Sequence, residues 1–331
     1  MAEISVGQGV SKSGIARPIV FPIAAFVLVV LVFGILVGPR LFSAMTLATA
    51  LPHASVVAII AFAEMLVLLT AGIDVSLGAI TVLASVIMAQ LSNDYGMPAP
   101  LALGAGLSIG AACGAVNGAL VGLVRLPSFI ATFGTWFAFD ALAFLYSAGG
   151  PTDSRVLETE APLLSSVGRP FALGEAVFSY SLVLAVLMAA LLWYLLHLTA
   201  WGRHARAVGE RPEAAWLCGL RPTPIRIATF VAAGLICSLA AWALIGGAKQ
   251  VEPTASLEAS LQALAAVLIG RTSFAGGRAS VTGTLIGAAT VTVFVVGLQL
   301  LETDPHWARF GLALFILSAA ALDRTVRSAG Q

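Results

Sequence analysis

The sequence predicts an all-α fold, a polytopic helical membrane protein of about ten transmembrane helices with broken or re-entrant segments and both termini cytoplasmic. Three observations carry that prediction. Hydrophobic residues fill 59% of the 331 positions and charged residues only 10%, against roughly a quarter charged in an ordinary soluble domain. Charge-free runs of about 20 residues recur, the length at which an α-helix crosses a hydrocarbon core about 30 Å thick. The arginines and lysines fall mostly on alternate connections between those runs. Ten helices use roughly 200 residues. Residues 1–331 therefore read as a single transmembrane domain with a tail at 1–17, one long cytoplasmic loop at 199–226, a second tail at 323–331, and no room for a large soluble domain.

The first apolar run, Ile19 to Gly38, follows Lys12 and Arg17 with no small-residue cleavage site close behind, so it reads as a retained span. The second runs from Leu47 to Ala71 and carries an ionisable residue, Glu64. Leu77 to Leu91 is short and reads as a broken or re-entrant segment, tolerated where protein covers its backbone. Leu101 to Val124 places Gly106, Gly110, Gly114, Gly118 and Gly122 on one helical stripe, along which another backbone can approach closely. Phe129 to Ala148 follows a tight turn at Arg125 and Pro127, because proline removes a donor and biases its predecessor away from helix. Ala176 to Leu198 and Ile227 to Ala248 flank the long polar loop, Ser260 to Gly270 is the second short run, and Val281 to Leu301 and Trp307 to Leu322 complete the ten.

Alternation assigns the sides. With the N-terminus inside, the inner side collects Lys12, Arg17, Arg125, Arg203, Arg206, Arg211, Arg221, Arg226, Arg271, Arg278, Arg324 and Arg327. The outer side keeps Arg40, Arg155, Arg169, Lys249 and Arg309. One span more or fewer in the middle would erase this bias, so ten spans are favoured.

Composition also excludes chemistry. A formal net charge of +1 gives no reason to expect nucleic acid as a partner. The two lysines, Lys12 and Lys249, do not follow the glycine pattern of a phosphate-binding loop, so this chain is not expected to hydrolyse ATP. Cys113 and Cys237 lie in apolar runs and Cys218 in a basic loop, with neither zinc spacing nor a disulfide framework. No nucleophile and base pair up, so no catalytic residue, metal or cofactor is expected on this chain.

Four segments break the apolar background. In A-G-I-D-V-S-L-G, Ala71 to Gly78, Gly72 can end a helix and Asp74 or Ser76 can cap the next. In the second, Asn117 to Gly134, Thr132 and Thr135 can bond to their own helix carbonyls or line a polar path. The third, Trp201 to Arg226, contains P-E-A-A-W-L-C-G, the grammar of a short helix. Pro212 suits its first turn, Glu213 complements the positive end, and Gly219 fits a left-handed stop. Two turns are unstable alone in water and need a surface to pack on. The fourth is G-R-T-S-F-A-G-G-R-A-S-V-T-G-T-L-I-G, Gly270 to Gly287.

These four segments, in this order, resemble the permease subunits of bacterial ATP-binding cassette importers for monosaccharides, the ribose, xylose and galactose type. A-G-I-D-V-S-L-G is similar to that family's G-I-D-L-S-V-G signature. V-N-G-A-L-V with L-P-S-F-I-A-T-F-G-T is similar to its second block, and G-R-H-A-R-A-V-G-E-R-P-E-A-A-W-L-C-G-L to its cytoplasmic coupling segment. Arg271 and Ala279 stand where the family commonly has glycine, and both replacements stiffen a turn.

The resemblance implies a multi-pass protein of the inner (plasma) membrane, working with a second permease copy or paralogue, cytoplasmic ATPase subunits that bind ATP and magnesium, and a periplasmic binding protein. It implies that the short helix couples to the ATPase, with Arg203, Glu210, Pro212, Glu213, Ala214, Ala215, Leu217 and Gly219 as the contact set. Asp74, Ser76, Asn117, Thr132 and Thr135 become candidates for the translocation path, and Asp153, Arg155, Glu158 and Glu160 for docking the binding protein. Branched-chain amino acids, nucleosides and autoinducers remain alternative cargoes. A proton-coupled secondary transporter working through Glu64 and Asp140 is the reading from another class, since charge inside a membrane is a functional signal by default.

Overall fold

Every apolar run is at least partly helical in the computed structural model, which describes residues 17–153, 157–159, 161–173, 176–247, 250–254 and 257–328. The elements are α1 (Arg17–Val37), α2 (Ala44–Leu69), α3 (Leu77–Asn93), α4 (Ala99–Gly122), α5 (Ser128–Tyr146), β1 (Thr152–Asp153), α6 (Pro162–Ser166), β2 (Pro170–Leu173) and β3 (Ala176–Ser179). They continue as α7 (Tyr180–Leu198), α8 (Ala200–Glu210), α9 (Pro212–Leu217), α10 (Pro222–Gly247), β4 (Gln250–Val251), α11 (Leu257–Ile269), α12 (Val281–Leu300) and α13 (Pro305–Ser328). Among the described residues seven helices are long and apolar enough to cross a membrane, while α3 and α11 are shorter apolar helices. With the 24-residue α13, these are the ten segments the sequence predicts, and the two short ones are the two that hydropathy singles out.

Helix α2 is the hub. Every residue from Val57 to Thr70 is buried, as expected of a helix that is hydrophobic all round, and α10, α12, α11 and α7 pack on it. The glycine stripe of α4 is the second organising surface. A Cβ on Gly110 would lie 2.4 Å from the Gly234 carbonyl oxygen, one on Gly114 2.2 Å from that of Phe230, and one on Gly234 2.0 Å from that of Gly110. Helices α4 and α10 thus touch backbone to backbone, the contact that replaces hydrophobic driving force between helices in lipid.

Connections assigned to one side meet one another. Strand β1 pairs antiparallel with β4 across the two outer connections, Thr152 opposite Val251. On the other side the Gly277 N–H donates to the Leu69 carbonyl at 2.9 Å. Two spans separate the first pair and six the second, so both contacts agree with ten-fold alternation.

Three boundaries differ from the sequence reading. Ala176–Ser179 is not the start of a span but the second strand of a hairpin with Pro170–Leu173. Its Ala-Val-Phe-Ser sequence looks as apolar as a helix to a hydropathy window. The loop at 199–226 is mostly helical, and the tail placed at 323–331 continues α13 to Ser328.

Helix stops carry a further correction. At the end of α2 the Gly72 N–H reaches back to the Val67 carbonyl and the Ala71 N–H to that of Leu68, which puts Ala71, not Gly72, in the left-handed position at φ 59°. Arg271 does the same after α11 at φ 64°, whereas Ala279 has no left-handed φ. Of the two missing glycines, only the one at 271 deprives a turn of needed freedom. Ala71 is exposed, so Ala71→Gly gives up no burial while relieving the left-handed strain. We expect it to raise stability by about 0.5–1 kcal/mol, seen as a higher unfolding midpoint of the detergent-purified protein.

Candidate functional site

The chain doubles back after α2 instead of leaving the bundle. The Asp74 N–H points to Glu64 Oε1 at 3.5 Å, beside a residue about 7.5 Å of helix before the end of α2. Asp74, Val75 and Ser76 are all buried. A non-helical segment at this depth needs side chains to satisfy its backbone, and the sequence supplies them. Ile73 N–H donates to Ser128 Oγ (3.0 Å), Val75 N–H to Thr132 Oγ1 (3.3 Å) and Ser76 N–H to Asp74 Oδ1 (2.8 Å). Helix α3 then starts inside the protein, where its Gly78 N–H donates to Ser260 Oγ in the first turn of α11 at 2.9 Å. The two short helices are therefore broken helices whose N-terminal turns meet.

Asn117 closes the network. Its Nδ2 donates to Ser76 Oγ at 2.7 Å and to Asp74 Oδ2 at 3.3 Å, while its Oδ1 accepts from Thr135 Oγ1 at 2.7 Å. Ser76 Oγ donates to Asp74 Oδ1 at 2.6 Å. Thr132 and Thr135 also donate to carbonyls of their own helix, Ser128 at 2.9 Å and Thr132 at 3.2 Å. The structure thus gathers Asp74, Ser76, Asn117, Thr132 and Thr135 into one knot joining the 70–76 segment to α4 and α5. All five are buried; Asp74, Ser76, Asn117 and Thr135 bond through their side chains, and Thr132 joins them through its carbonyl, which accepts from Thr135 Oγ1. Glu64, beside them, has Oε2 buried with no hydrogen-bond partner.

The predicted short helix exists as α9, with Pro212 in its first turn. Leu220 N–H donates to the Ala215 carbonyl and Gly219 N–H to that of Trp216, a left-handed stop with Gly219 at φ 82°. Helix α8 ahead of it went unforeseen, although Thr199 caps it by accepting from Gly202 N–H at 3.3 Å. Arg203, Glu210, Glu213, Ala214 and Leu217 are exposed and Pro212 is half-buried, but Ala215 turns inward at 5% exposure and touches its own chain. Trp216, absent from the sequence-derived set, stands 66% exposed beside Leu217 at 78%.

The base of this unit is locked to the bundle. A Cβ on Gly209 would lie 1.8 Å from the Leu69 carbonyl oxygen and 2.8 Å from the Gly277 nitrogen. Helix α8 therefore presses directly on the residue from which the 70–76 segment departs. On the opposite side Asp153 lies in β1 and Glu158 is exposed, while Arg155 and Glu160 fall outside the described residues.

A multi-pass helical bundle with broken helices meeting inside it, a buried polar knot and an exposed apolar helix on a short lever is an arrangement suited to a membrane permease subunit. The comparisons agree. Residues 46–320 match the family model described as branched-chain amino acid transport system / permease component, and the chain belongs to that permease family. It is 45% identical to a fructose import permease of Rhizobium meliloti over 94% of this chain and 87% of that one. It is 34% identical to the ribose import permease of Escherichia coli K12 over 91% of this chain and 92% of that one. An autoinducer 2 import permease of Shigella flexneri is 29% identical over 93% and 88% of the two chains. No solved structure gives a match. The protein is accordingly a multi-pass inner-membrane transport subunit.

Proposed function

We propose that this chain forms the membrane pathway for import of a monosaccharide, with ATP hydrolysed on a partner ATPase and substrate delivered by a periplasmic binding protein to a pair of permease subunits. Identity of 45% to a fructose permease across nearly the whole chain carries the cargo class. Glu213, Ala214, Trp216 and Leu217 form the surface for the ATPase, since apolar side chains this exposed on a helix this short need a partner. Pressure on α9 passes through α8 at Gly209 to Leu69 and the 70–76 segment. When α4 and α5 part from that segment, the amide and hydroxyls of Asn117, Ser76, Thr132 and Thr135, and the Asp74 carboxyl, become free to exchange bonds with sugar hydroxyls. Asp153, Arg155, Glu158 and Glu160 remain the proposed contacts for the delivering protein.

Labelled-fructose and labelled-ribose uptake, each competed with the other sugar, tests the cargo. Glu213→Arg tests the coupling surface: it reverses a charge at an exposed contact without touching the bundle. We expect ATPase co-purification and uptake to fall together by roughly tenfold or more while membrane levels stay normal. Full uptake by the variant, or uptake that follows the proton gradient in a strain lacking the ATPase, contradicts this reading.

A further inference from the structure

A cavity of about 370 Å³ opens where the α4–α5 turn, the end of α2 and the first turn of α10 converge. Its wall includes the arginines Arg125 and Arg226, the hydroxyl residues Thr70, Ser128 and Thr223, and no acidic residue. The guanidiniums come from different elements, Arg125 from the turn and Arg226 from α10. Among the described residues no carboxylate lies within ion-pair distance of either, the one resolved ion pair being Arg309 with Glu258 at 3.9 Å. Two positive charges sharing a concave wall without a counter-ion repel each other, and an anion relieves that repulsion.

Arg125 is also held in a costly conformation. It occupies the left-handed stop of α4 at φ 63°, with Leu126 N–H bonded back to the Leu120 carbonyl at 3.1 Å. Glycine would fit that position without strain, so the arginine stands there against its backbone preference, as Arg271 does after α11. Orientation in the membrane explains positive charge on this side, but not two arginines from different elements lining one cavity beside hydroxyl residues and no acid. Planar guanidiniums match phosphate oxygens by paired N–H donors.

We propose that this cavity binds a phosphate-bearing anion, the headgroup of an anionic phospholipid or a soluble phosphate ester, clamped by Arg125 and Arg226. Ser128 also lines the cavity, and its Oγ already holds Ile73 N–H at 3.0 Å. Occupancy therefore bears on the 70–76 segment next to the buried knot.

The test uses the full chain in nanodiscs. In phosphatidylcholine discs the unfolding midpoint is followed as inorganic phosphate is added. In discs that also contain phosphatidylglycerol, bound lipid is counted by native mass spectrometry. A ligand that binds the folded chain raises its midpoint by mass action. A response to phosphate in neutral discs assigns a soluble ester, and retention of phosphatidylglycerol alone assigns the lipid. Either affinity should weaken roughly tenfold or more in Arg125→Gln and in Arg226→Gln, but not in Arg221→Gln, an exposed arginine outside the cavity. Arg226→Lys keeps the charge that orients the helices and loses the paired donors, so it should weaken binding too, and it decides the matter where the glutamine variants fail to insert. The proposal is overturned if neither probe binds, if Arg221→Gln is as damaging as the cavity variants, or if Arg226→Lys binds like wild type.

Discussion

Gly114→Leu is expected to leave almost no folded protein in the membrane. A Cβ at this position already meets the Phe230 carbonyl oxygen at 2.2 Å and its carbon and Val231 Cα at 2.9 Å, and these are backbone atoms of α10 that no rotamer change can move aside. The rest of a leucine has to drive α4 and α10 apart along a stripe where a Cβ on Gly110 would meet the Gly234 carbonyl oxygen at 2.4 Å and one on Gly118 would meet Ile227 Cα at 2.9 Å. Separation also breaks the Ser238 Oγ–H bond to the Gly106 carbonyl at 2.9 Å. Overpacking a soluble core costs about 1–3 kcal/mol, and a collision between two backbones exceeds that range, so we expect about 4 kcal/mol or more. Gly104→Leu is the control. Gly104 lies on the same helix with nothing within 4 Å of its Cβ and should accumulate like wild type. Comparable membrane levels of the two variants, measured by fluorescence-detected size exclusion, would show that the α4–α10 contact is not what holds the bundle.

The stripe also shows what a sequence discloses. Glycines at 106, 110, 114, 118 and 122 announce a close helix contact because the spacing of four is a property of the helix itself, but nothing in α4 says that its partner is α10, more than 100 residues away. The same holds for the polar knot. Asp74, Ser76, Asn117, Thr132 and Thr135 stand out singly as polar groups in apolar surroundings, where burial is costly without partners. That they would come together in one network depends on how the 70–76 segment folds back. The re-entry itself was half legible: α3 and α11 are short for full spans, yet their meeting through Gly78 and Ser260 is long-range. The exposure of Trp216 beside Leu217 is not legible in the sequence, where it reads as one more aromatic in a membrane protein. The burial of Ala215 is equally hidden, since the two turns of α9 do not reveal which face rests on its own chain. Helix α8 had a legible start in Thr199, but three charged residues and a histidine in its 11 positions (Arg203, His204, Arg206 and Glu210), with Arg211 at its cap, make it look like loop to any reading tuned to hydropathy.

Asn117→Ala is expected to loosen the inside of the permease while leaving its helices in place. Asn117, on α4, bonds at once to the re-entrant segment, through Ser76 and Asp74, and to α5, through Thr135. Truncation removes three hydrogen bonds. Thr135 keeps its bond to the Thr132 carbonyl and Ser76 its bond to Asp74, so the main loss falls on Asp74, whose Oδ2 is left buried with no other donor resolved. A buried polar group without a partner costs about 1–3 kcal/mol, more when charged. With the lost bonds to Ser76 and Thr135 added, we expect about 3–5 kcal/mol in stability and at least a tenfold fall in sugar uptake. Asn117→Asp separates the two contributions. It preserves the shape and the acceptor for Thr135 but replaces both Nδ2 donors by an oxygen facing Ser76 Oγ and Asp74, so repulsion is added to the loss. If the knot works through those donors, Asn117→Asp must be at least as damaging as Asn117→Ala in both unfolding midpoint and uptake. If instead Asn117 merely fills space between α4 and α5, Asn117→Leu, uncharged and of similar size, should behave like wild type and the alanine should fail. Measuring the three variants against one uptake assay and one thermal melt distinguishes a hydrogen-bonded latch from a packing position.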